Sequence, residues 1–564
     1  MQFRNFIRRP AAQERFGYAL QGSTTDRSRR MRDIMSGVSR QMSLAWDWPN
    51  ALGADMERWE NPDIPAGYTY LAQFVAHDCV FTSAPTGAVS QIGVGVKSWR
   101  SSLLQLETIY GGGPDASPGA YAAQGENLIS RNRLLLGKPA PPNSTLGKCP
   151  FQELGRARPT NRDHAEREGL TCALIADPRN DAHAAIAQLT TLFHQLHNKI
   201  AQTVESAGLV AGSLAADIRN YRVYLLSRAI CVHVYRRLLR EDLLPRILHP
   251  GIVAAYDRDE ATFLDTQAPD ELPTEFAHAF RFGHAMVRPN YVFNDLNVYG
   301  EDLADMMLAT SGARPWRMPL DDSWMAQWSR FFAIGGDRPN LSRRIAPSLA
   351  GGLFSGEVFG PIDETQSVGL AYRDLLSSAF IPQWSVPALA AEIFAERAEL
   401  AELSPLLADR TQRERQIGDW LARHRLASGL NDEDRDFLAA DPPLVLYVLF
   451  EAAREMEGRR LGVLGSLILA ETFYRALGNG AHANAQRTDG ACAFDELARV
   501  VLGRPESAPV IAACVPDIAT MAALIDYVAP SAPRADLAKS PRSNERDRSE
   551  DGRDCKELVG TGAG

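Results

Sequence analysis

Paired cysteines, long apolar runs and a strong excess of one charge are all missing from this chain, and each absence removes a class of protein. The seven cysteines are odd in number and scattered, with no C-x-x-C. That argues against a disulfide framework and a thiolate zinc site, so they read as reduced thiols. No stretch approaches the roughly twenty apolar residues that a membrane span requires. The opening MQFRNFIRRPAAQERFG carries arginines but no apolar core for a signal peptide. A cytoplasmic protein is the default expectation, with export by another route left open. The formal net charge of -9 over 564 residues is small, and nothing points to a nucleic-acid partner. There is no H-E-x-x-H motif and no internal repeat.

What is present is helical periodicity. Ala184 to Val204 places Ile186, Leu189, Leu192, Phe193, Leu196 and Ile200 on one stripe, and Ala215 to Leu239 continues as a second long helix. A third is predicted through Glu275 to Met286, stopped near Pro289, with more at 388–403, 411–424 and 443–476. NPDIPAGYTY, with its prolines and glycine, predicts extended or turning backbone, after which YLAQFVAHDCVF runs as a short helix. That helix would put Gln73 and His77 on one face. Residues 112–168 read as irregular connections. Residues 1–60, polar and arginine-rich with irregular apolar positions, read as a surface arm. From about residue 530 the chain is too charged and too poor in large apolar residues to order itself. The expected organisation is an arm over 1–60, one domain over 61–529 and a disordered tail over 530–564, in a mainly α fold with few short strands.

Three places set a histidine or arginine among apolar residues: His77 in AQFVAHDCVF, Arg179 in LIADPRNDA and His284 in FAHAFRFGHAMV. Taken singly, a lone histidine on an apolar helix is more often a hydrogen-bonded core residue than a ligand, and a buried arginine usually answers a nearby carboxylate. His194 and His197 in HQLHN share a helical face, as a metal pair would, but no second ligand pair accompanies them; bonding to backbone groups is the expected role.

Together and in order, these segments resemble the animal-type haem peroxidases of the peroxidase-cyclooxygenase superfamily, especially their bacterial branch. NPDIPAGYTYLAQFVAHDCVFTS is similar to the family's distal-helix segment and LETIYGGGP to its metal-loop segment. DPRNDAHAAIAQLTTLFHQLHNKIA resembles the distal-arginine helix and EFAHAFRFGHAMVRPNYVFND the proximal-histidine helix. PPLVLYVLFEAAREMEGRRLGVLGSLILAETF is similar to the closing helices, so the likeness spans roughly residues 60–480. The resemblance implies a large helical haem-peroxidase domain with His284 as the proximal iron ligand. It makes His77 the distal base, Arg179 the fixed positive charge and Gln73 a hydrogen-bonding group for peroxide, water or a halide. The implied partners are hydrogen peroxide and a small phenolic-type reductant, with halides as a further substrate class.

The chain departs from that pattern in several places. Many mammalian relatives carry acidic residues, ester-linked to haem, where this sequence has Ala76 and Ala182, so haem b held without covalent links is expected. Asp78, Ser101, Gln105 and Glu107 stand where the family's calcium ligands lie, an altered oxygen-donor set for Ca2+. LAYRDLLSSAFIPQW resembles the segment carrying the proximal histidine's hydrogen-bond partner, for which Gln383 and Ser385 are the candidates. Arg281 occupies the position, three before His284, at which cyclooxygenases have a tyrosine. That lowers a fatty-acid dioxygenase or cyclooxygenase reading, leaving a radical at another tyrosine such as Tyr291 open. A non-catalytic haem sensor or scaffold is the alternative from another class.

Overall fold

The long helices form where the apolar period demands them. The computed structural model of the protein describes residues 9–44, 59–81, 98, 100, 103–122, 131–137, 153–157, 172–258, 272–310, 313–314, 318, 320, 322–336, 338–423, 425–478 and 494–529. All of these lie within residues 1–530, which cluster as one unit. The tail expected from residue 530 lies outside the described residues.

Six helices position the site: α1 (Thr24–Met42), α2 (Gly67–Cys79), α3 (Ala184–Ser206), α4 (Ala216–Leu238), α5 (Thr274–Ala279) and α6 (Leu370–Phe380). Helix α3 packs on both α2 and α4, and its six stripe residues are all buried. Phe74 of α2 stacks on Phe193 of α3 with centroids 4.5 Å apart. Burial of each ring contributes roughly 1.5–3 kcal/mol and fixes the rotation of α2 about its axis. The region predicted as one helix over 443–476 is two, Leu444–Glu455 and Val463–Gly478. Glu457 and Gly458 take positive φ between them, and the Glu451 carboxylate accepts from Leu464 N and Gly465 N at the start of the second.

Strands are short and form three two-stranded antiparallel ladders among the described residues. One joins Glu60–Pro65 to Leu341–Arg343, with Glu60 opposite Arg343, Pro65 opposite Leu341 and a bulge between. It anchors the chain immediately before α2. At Gly67 the helix starts against Phe331 and Phe332: a Cβ there would lie 2.6 Å from the Phe331 carbonyl oxygen, so only glycine fits.

Two expectations are corrected. Residues 24–42, read as part of an irregular arm, form α1. Met31, Ile34, Met35, Val38 and Met42 make a narrow buried stripe, diluted in sequence by arginines and serines, several of them held by other parts of the chain. Arg40 donates to the Ser428 carbonyl at 2.6 Å, and Arg32 lies over the Phe380 ring. Ser23 caps the helix by accepting from Asp26 N. Its partner is α6. The second correction concerns the helix predicted through Met286. After Ala279 it tightens to a 3₁₀ helix over Phe280–Met286, in which residues three apart eclipse one another. Arg281 and His284 are such a pair.

Candidate functional site: two histidines with fixed rings

Gln73, Ala76, His77 and Val80 fall at helical spacing on the one face of α2 that is only partly buried, while its other faces are packed. The His77 ring is not free to turn. Its Nδ1 lies 2.7 Å from Asn180 Oδ1, and Asn180 Nδ2 donates to the Thr108 hydroxyl and carbonyl. With the amide oxygen thus facing His77, Nδ1 carries the proton and Nε2 is left as an acceptor. Burial, and then the Arg179 charge, push the pKa of His77 down to about 4. The ring is a neutral base near pH 7.

Arg179 stands beside it on the 3₁₀ turn Pro178–Asp181, where Asp177 accepts from Arg179 N. The guanidinium donates to Asp177 at 2.6 Å, to the His77 carbonyl at 2.8 Å and to the Val80 carbonyl at 2.7 Å. Arg100 joins the same carboxylate at 2.5 Å and the same His77 carbonyl. Burial works against ionisation of Asp177, but the Arg179 hydrogen bonds and charge outweigh it and hold its pKa below the usual range. The positive charge beside His77 is therefore fixed, and part of it is balanced by Asp177. Gln73 is bonded through Oε1 to His183 Nε2 at 2.9 Å. Because His183 Nδ1 accepts from Ile186 N at the start of α3, its Nε2 donates. That leaves the Gln73 amide nitrogen as the donor of this side chain.

On the other side, α2 packs against the 3₁₀ helix that carries His284. His284 Nδ1 lies 2.6 Å from Asp374 Oδ2 on α6. Arg281 donates to the second oxygen of that carboxylate at 3.2 Å and to Ser377 Oγ at 3.2 Å. His278 bonds the same Ser377 hydroxyl. This corrects the partner of His284 expected from sequence: Asp374 takes that place, while Gln383 donates through Nε2 to the Ser378 carbonyl and hydroxyl, and Ser385 caps the next helix by accepting from Ala388 N. Helix α6 faces the 3₁₀ segment with Asp374, one turn into its own length, and so reaches His284 first.

The loop expected to hold calcium is tied to α2 through Asp78. Asp78 accepts from Leu106 N at 3.0 Å and Thr108 N at 3.2 Å, and burial raises its pKa to about 6. Gln105 and Glu107 lie in this loop, half-buried; Ser101 lies outside the described residues. No group of three or more His, Cys, Asp or Glu that could hold a metal occurs among the described residues. The HQLHN side chains fasten one strand: His194 to the Leu135 carbonyl, His197 to the Asn132 carbonyl and the Tyr110 hydroxyl, Asn198 to Leu134. Cys79 is buried, and burial raises its pKa well above normal.

Sequence reasoning missed Asn180, Asp177, His183 and Asp374. The first two sit within the quoted LIADPRNDA, where an Asp two before the arginine is a sequence-level cap signal. His183 and Asp374 become visible only through contacts across 110 and 90 residues.

The fold is mainly helical and sets two histidines with fixed rings on elements that pack against each other. Residues 133–356 match the family described as animal haem peroxidase. Thyroid peroxidase of Rattus norvegicus is 27% identical over 221 residues, 39% of this chain and 22% of that one. That of Mus musculus is 26% identical over 223 residues, with the same coverage. The matched stretch thus spans under a quarter of these relatives' length. Among solved structures, peroxidase A of Dictyostelium discoideum shares the fold with a TM-score of 0.52 at 14% identity, covering 88% of both chains. A fatty acid alpha-dioxygenase of Arabidopsis thaliana gives 0.52 at 12% identity, covering 88% of this chain and 75% of that one. Arg179, Arg281 and His284 lie inside the family match; His77 and Asp374 lie outside it and are brought to them by the fold.

The donor set suits the haem that this family binds. Both histidines spend Nδ1 on a protein acceptor, and neither Nε2 is hydrogen-bonded among the described residues. A Cβ built on Gly283, next to His284, would meet nothing within 4 Å, so there is room at this position. No helix of the described residues is long and apolar enough to cross a membrane.

Proposed function

We propose that the protein is a haem peroxidase that reduces hydrogen peroxide and oxidises small phenolic-type donors. One peroxide and two donors yield two waters and two one-electron-oxidised donors. The observation that carries this reading is the His77–Asn180 pair, a neutral base with a fixed tautomer set beside a fixed cation. A structural histidine has no need of that arrangement.

His284 would hold haem b through Nε2, with no ester to the protein because Ala76 and Ala182 stand at the ester positions. Bound haem supplies the redox chemistry, accepting oxidising equivalents from peroxide and passing them on one electron at a time. His77 Nε2 takes a proton from one peroxide oxygen and returns it to the departing oxygen as water leaves. Arg179 steadies negative charge developing on that oxygen, and the Gln73 amide orients it. Because Ala76 and Ala182 cannot form the ester links that help make halide-oxidising relatives strongly oxidising, organic donors are favoured over halides. The proposal includes Ca2+ at the loop of Asp78, Ser101, Gln105 and Glu107, supported by the buried Asp78 carboxylate. The bonding of Arg281 to Asp374 favours peroxidase over oxygenase chemistry, since the position three before His284, a tyrosine in cyclooxygenases, is occupied by a structural cation.

The test is stopped-flow absorbance of the haem-loaded protein mixed with hydrogen peroxide, followed by a phenol. Loss of the ferric Soret band and donor-dependent recovery are expected. A loaded protein whose spectrum ignores peroxide would sink the proposal.

A further inference from the structure

We infer that Tyr110 and Tyr221 are the two ends of an outward oxidation route, by which a phenolic donor too bulky to enter the haem pocket gives up its electron at the exposed Tyr221. The inference rests on the haem-peroxidase reading and deepens it, adding a second place at which donors react.

The inner end is a tyrosine with its own proton acceptor. Tyr110 is fully buried, and its hydroxyl lies 3.0 Å from His197 Nδ1. His197 Nε2 faces the Asn132 carbonyl at 3.2 Å and so donates to it. That leaves Nδ1 unprotonated, and the phenol donates to it. Burial pushes the pKa of His197 down to about 3, so a proton that reaches this ring is readily handed back. Cys231 Sγ makes a longer contact with the same nitrogen, at 3.9 Å, and burial keeps it a thiol by raising its pKa to about 12.

Tyr110 is tied to the His77 side of the site. It ends the short helix Glu107–Tyr110, whose Thr108 accepts from Asn180 and donates its amide to Asp78. From there the rings run outward. Tyr110 meets Tyr224 edge-on with centroids 6.0 Å apart, and Tyr224 meets Tyr221 at 5.8 Å. The outer two stand one turn apart on α4, which sets their spacing. Tyr110 and Tyr224 are buried, whereas Tyr221 is 46% exposed, one turn after the exposed Ile218. This contrast gives the row of rings a direction.

Every step balances. Tyr110 gives one electron toward the oxidising equivalents that haem takes from peroxide, and its phenolic proton passes to His197 Nδ1. Tyr221 then gives one electron to Tyr110 across the Tyr224 ring. Tyr110 reclaims its proton from His197, and the Tyr221 proton leaves to solvent. A phenol at the surface restores Tyr221 with one electron and one proton, and departs as its phenoxyl radical.

The experiment uses the full-length haem-loaded protein, hydrogen peroxide and two donors, free phenol and a phenol-tipped polyethylene glycol too large for a pocket. A nitroso spin trap added without donor, followed by proteolysis and mass spectrometry, locates the radical. The adduct is expected on Tyr221 and is expected to be lost from it in Tyr110→Phe. Tyr221→Phe should strand the radical on Tyr110, seen by electron paramagnetic resonance as a hydrogen-bonded phenoxyl. Both variants should keep haem content, peroxide rate and free-phenol turnover, and both should lose turnover of the polymer-borne phenol.

An adduct that stays on Tyr221 in Tyr110→Phe, or one found on Cys231 instead, would overturn the inference. So would equal turnover of the polymer-borne phenol by all three proteins. Failure of the haem-peroxidase reading looks different, because the ferric Soret band of the unaltered protein then ignores peroxide. Failure of this inference alone leaves that band responsive and Tyr221 unlabelled.

Discussion

Asn180 aims the ring of His77: the amide oxygen lies 2.7 Å from Nδ1 and is itself oriented by two hydrogen bonds to Thr108. The residue comes from the 3₁₀ turn after Asp177, the ring from α2, and 103 residues of chain separate them. Replacing Asn180 with Ala frees the ring and its tautomer without touching the base. The rate with peroxide is expected to fall roughly 10- to 100-fold while haem content stays normal, the scale seen when a histidine loses its orienting partner. Replacing His77 with Ala should cost more, about 10²- to 10⁴-fold, since the base itself is gone. Equal rates for unaltered protein and His77→Ala would remove His77 from the mechanism.

The pH dependence follows from the same pair. With its pKa pushed down to about 4 by burial and by Arg179, His77 is neutral, and competent as a base, at every pH above that value. The peroxide rate is expected to be flat from about pH 6 upward and to fall by about tenfold per unit below pH 4. Stability should move with the same sign. His77, His183, His194, His197 and His278 all have pKa values depressed by burial from the ordinary 6.5. The unfolded chain therefore binds protons first as pH drops, and the melting temperature should decline from about pH 6.5 downward. A melting temperature that rises over that interval would contradict the burial of these rings.

Acid-acetone extraction distinguishes covalent from non-covalent haem. Neither Ala76 nor Ala182 can form an ester, so the haem should pass into the organic phase. Pigment retained on the polypeptide after extraction would locate a bond elsewhere.

Helix α1 backs the helix that carries Asp374, which makes residues 24–42 a support for the proximal side. Met35 is fully buried there. Met35→Ala is expected to destabilise the protein by about 2–5 kcal/mol in chemical denaturation and to speed haem loss to an apoprotein acceptor. Haem retention equal to that of the unaltered protein despite the lower stability would separate α1 from the proximal site.

Calcium binding is checked by chelation. Dialysis against a calcium chelator should lower the melting temperature, and added Ca2+ should restore it. In Asp78→Asn both effects should vanish. An unaltered protein whose melting temperature ignores both treatments would show that Asp78 serves only the amides of Leu106 and Thr108.

The helices α3 and α4 and the face of α2 were legible because burial imposes a period on the sequence itself. Helix α1 was not. Its stripe is narrow, largely methionine, and lies among arginines that look solvent-bound until Ser428 and Phe380 are seen to receive them. His77, Arg179 and His284 were singled out as candidates, since each stands among apolar neighbours within a segment that resembles a family motif. Their orientation was not, because Asn180, Asp177 and Asp374 act across turns and helices whose packing no local pattern encodes.

By itself, then, the sequence determined which segments wind into helices and which side chains can do acid–base and ligand chemistry, since both depend on residue type and spacing along one element. Only the tertiary structure decided that Asp374 rather than Gln383 or Ser385 meets His284, and that one carboxylate is shared with Arg281. That choice depends on a 3₁₀ turn meeting the face of a helix 90 residues away, and on a carboxylate screened from water by both.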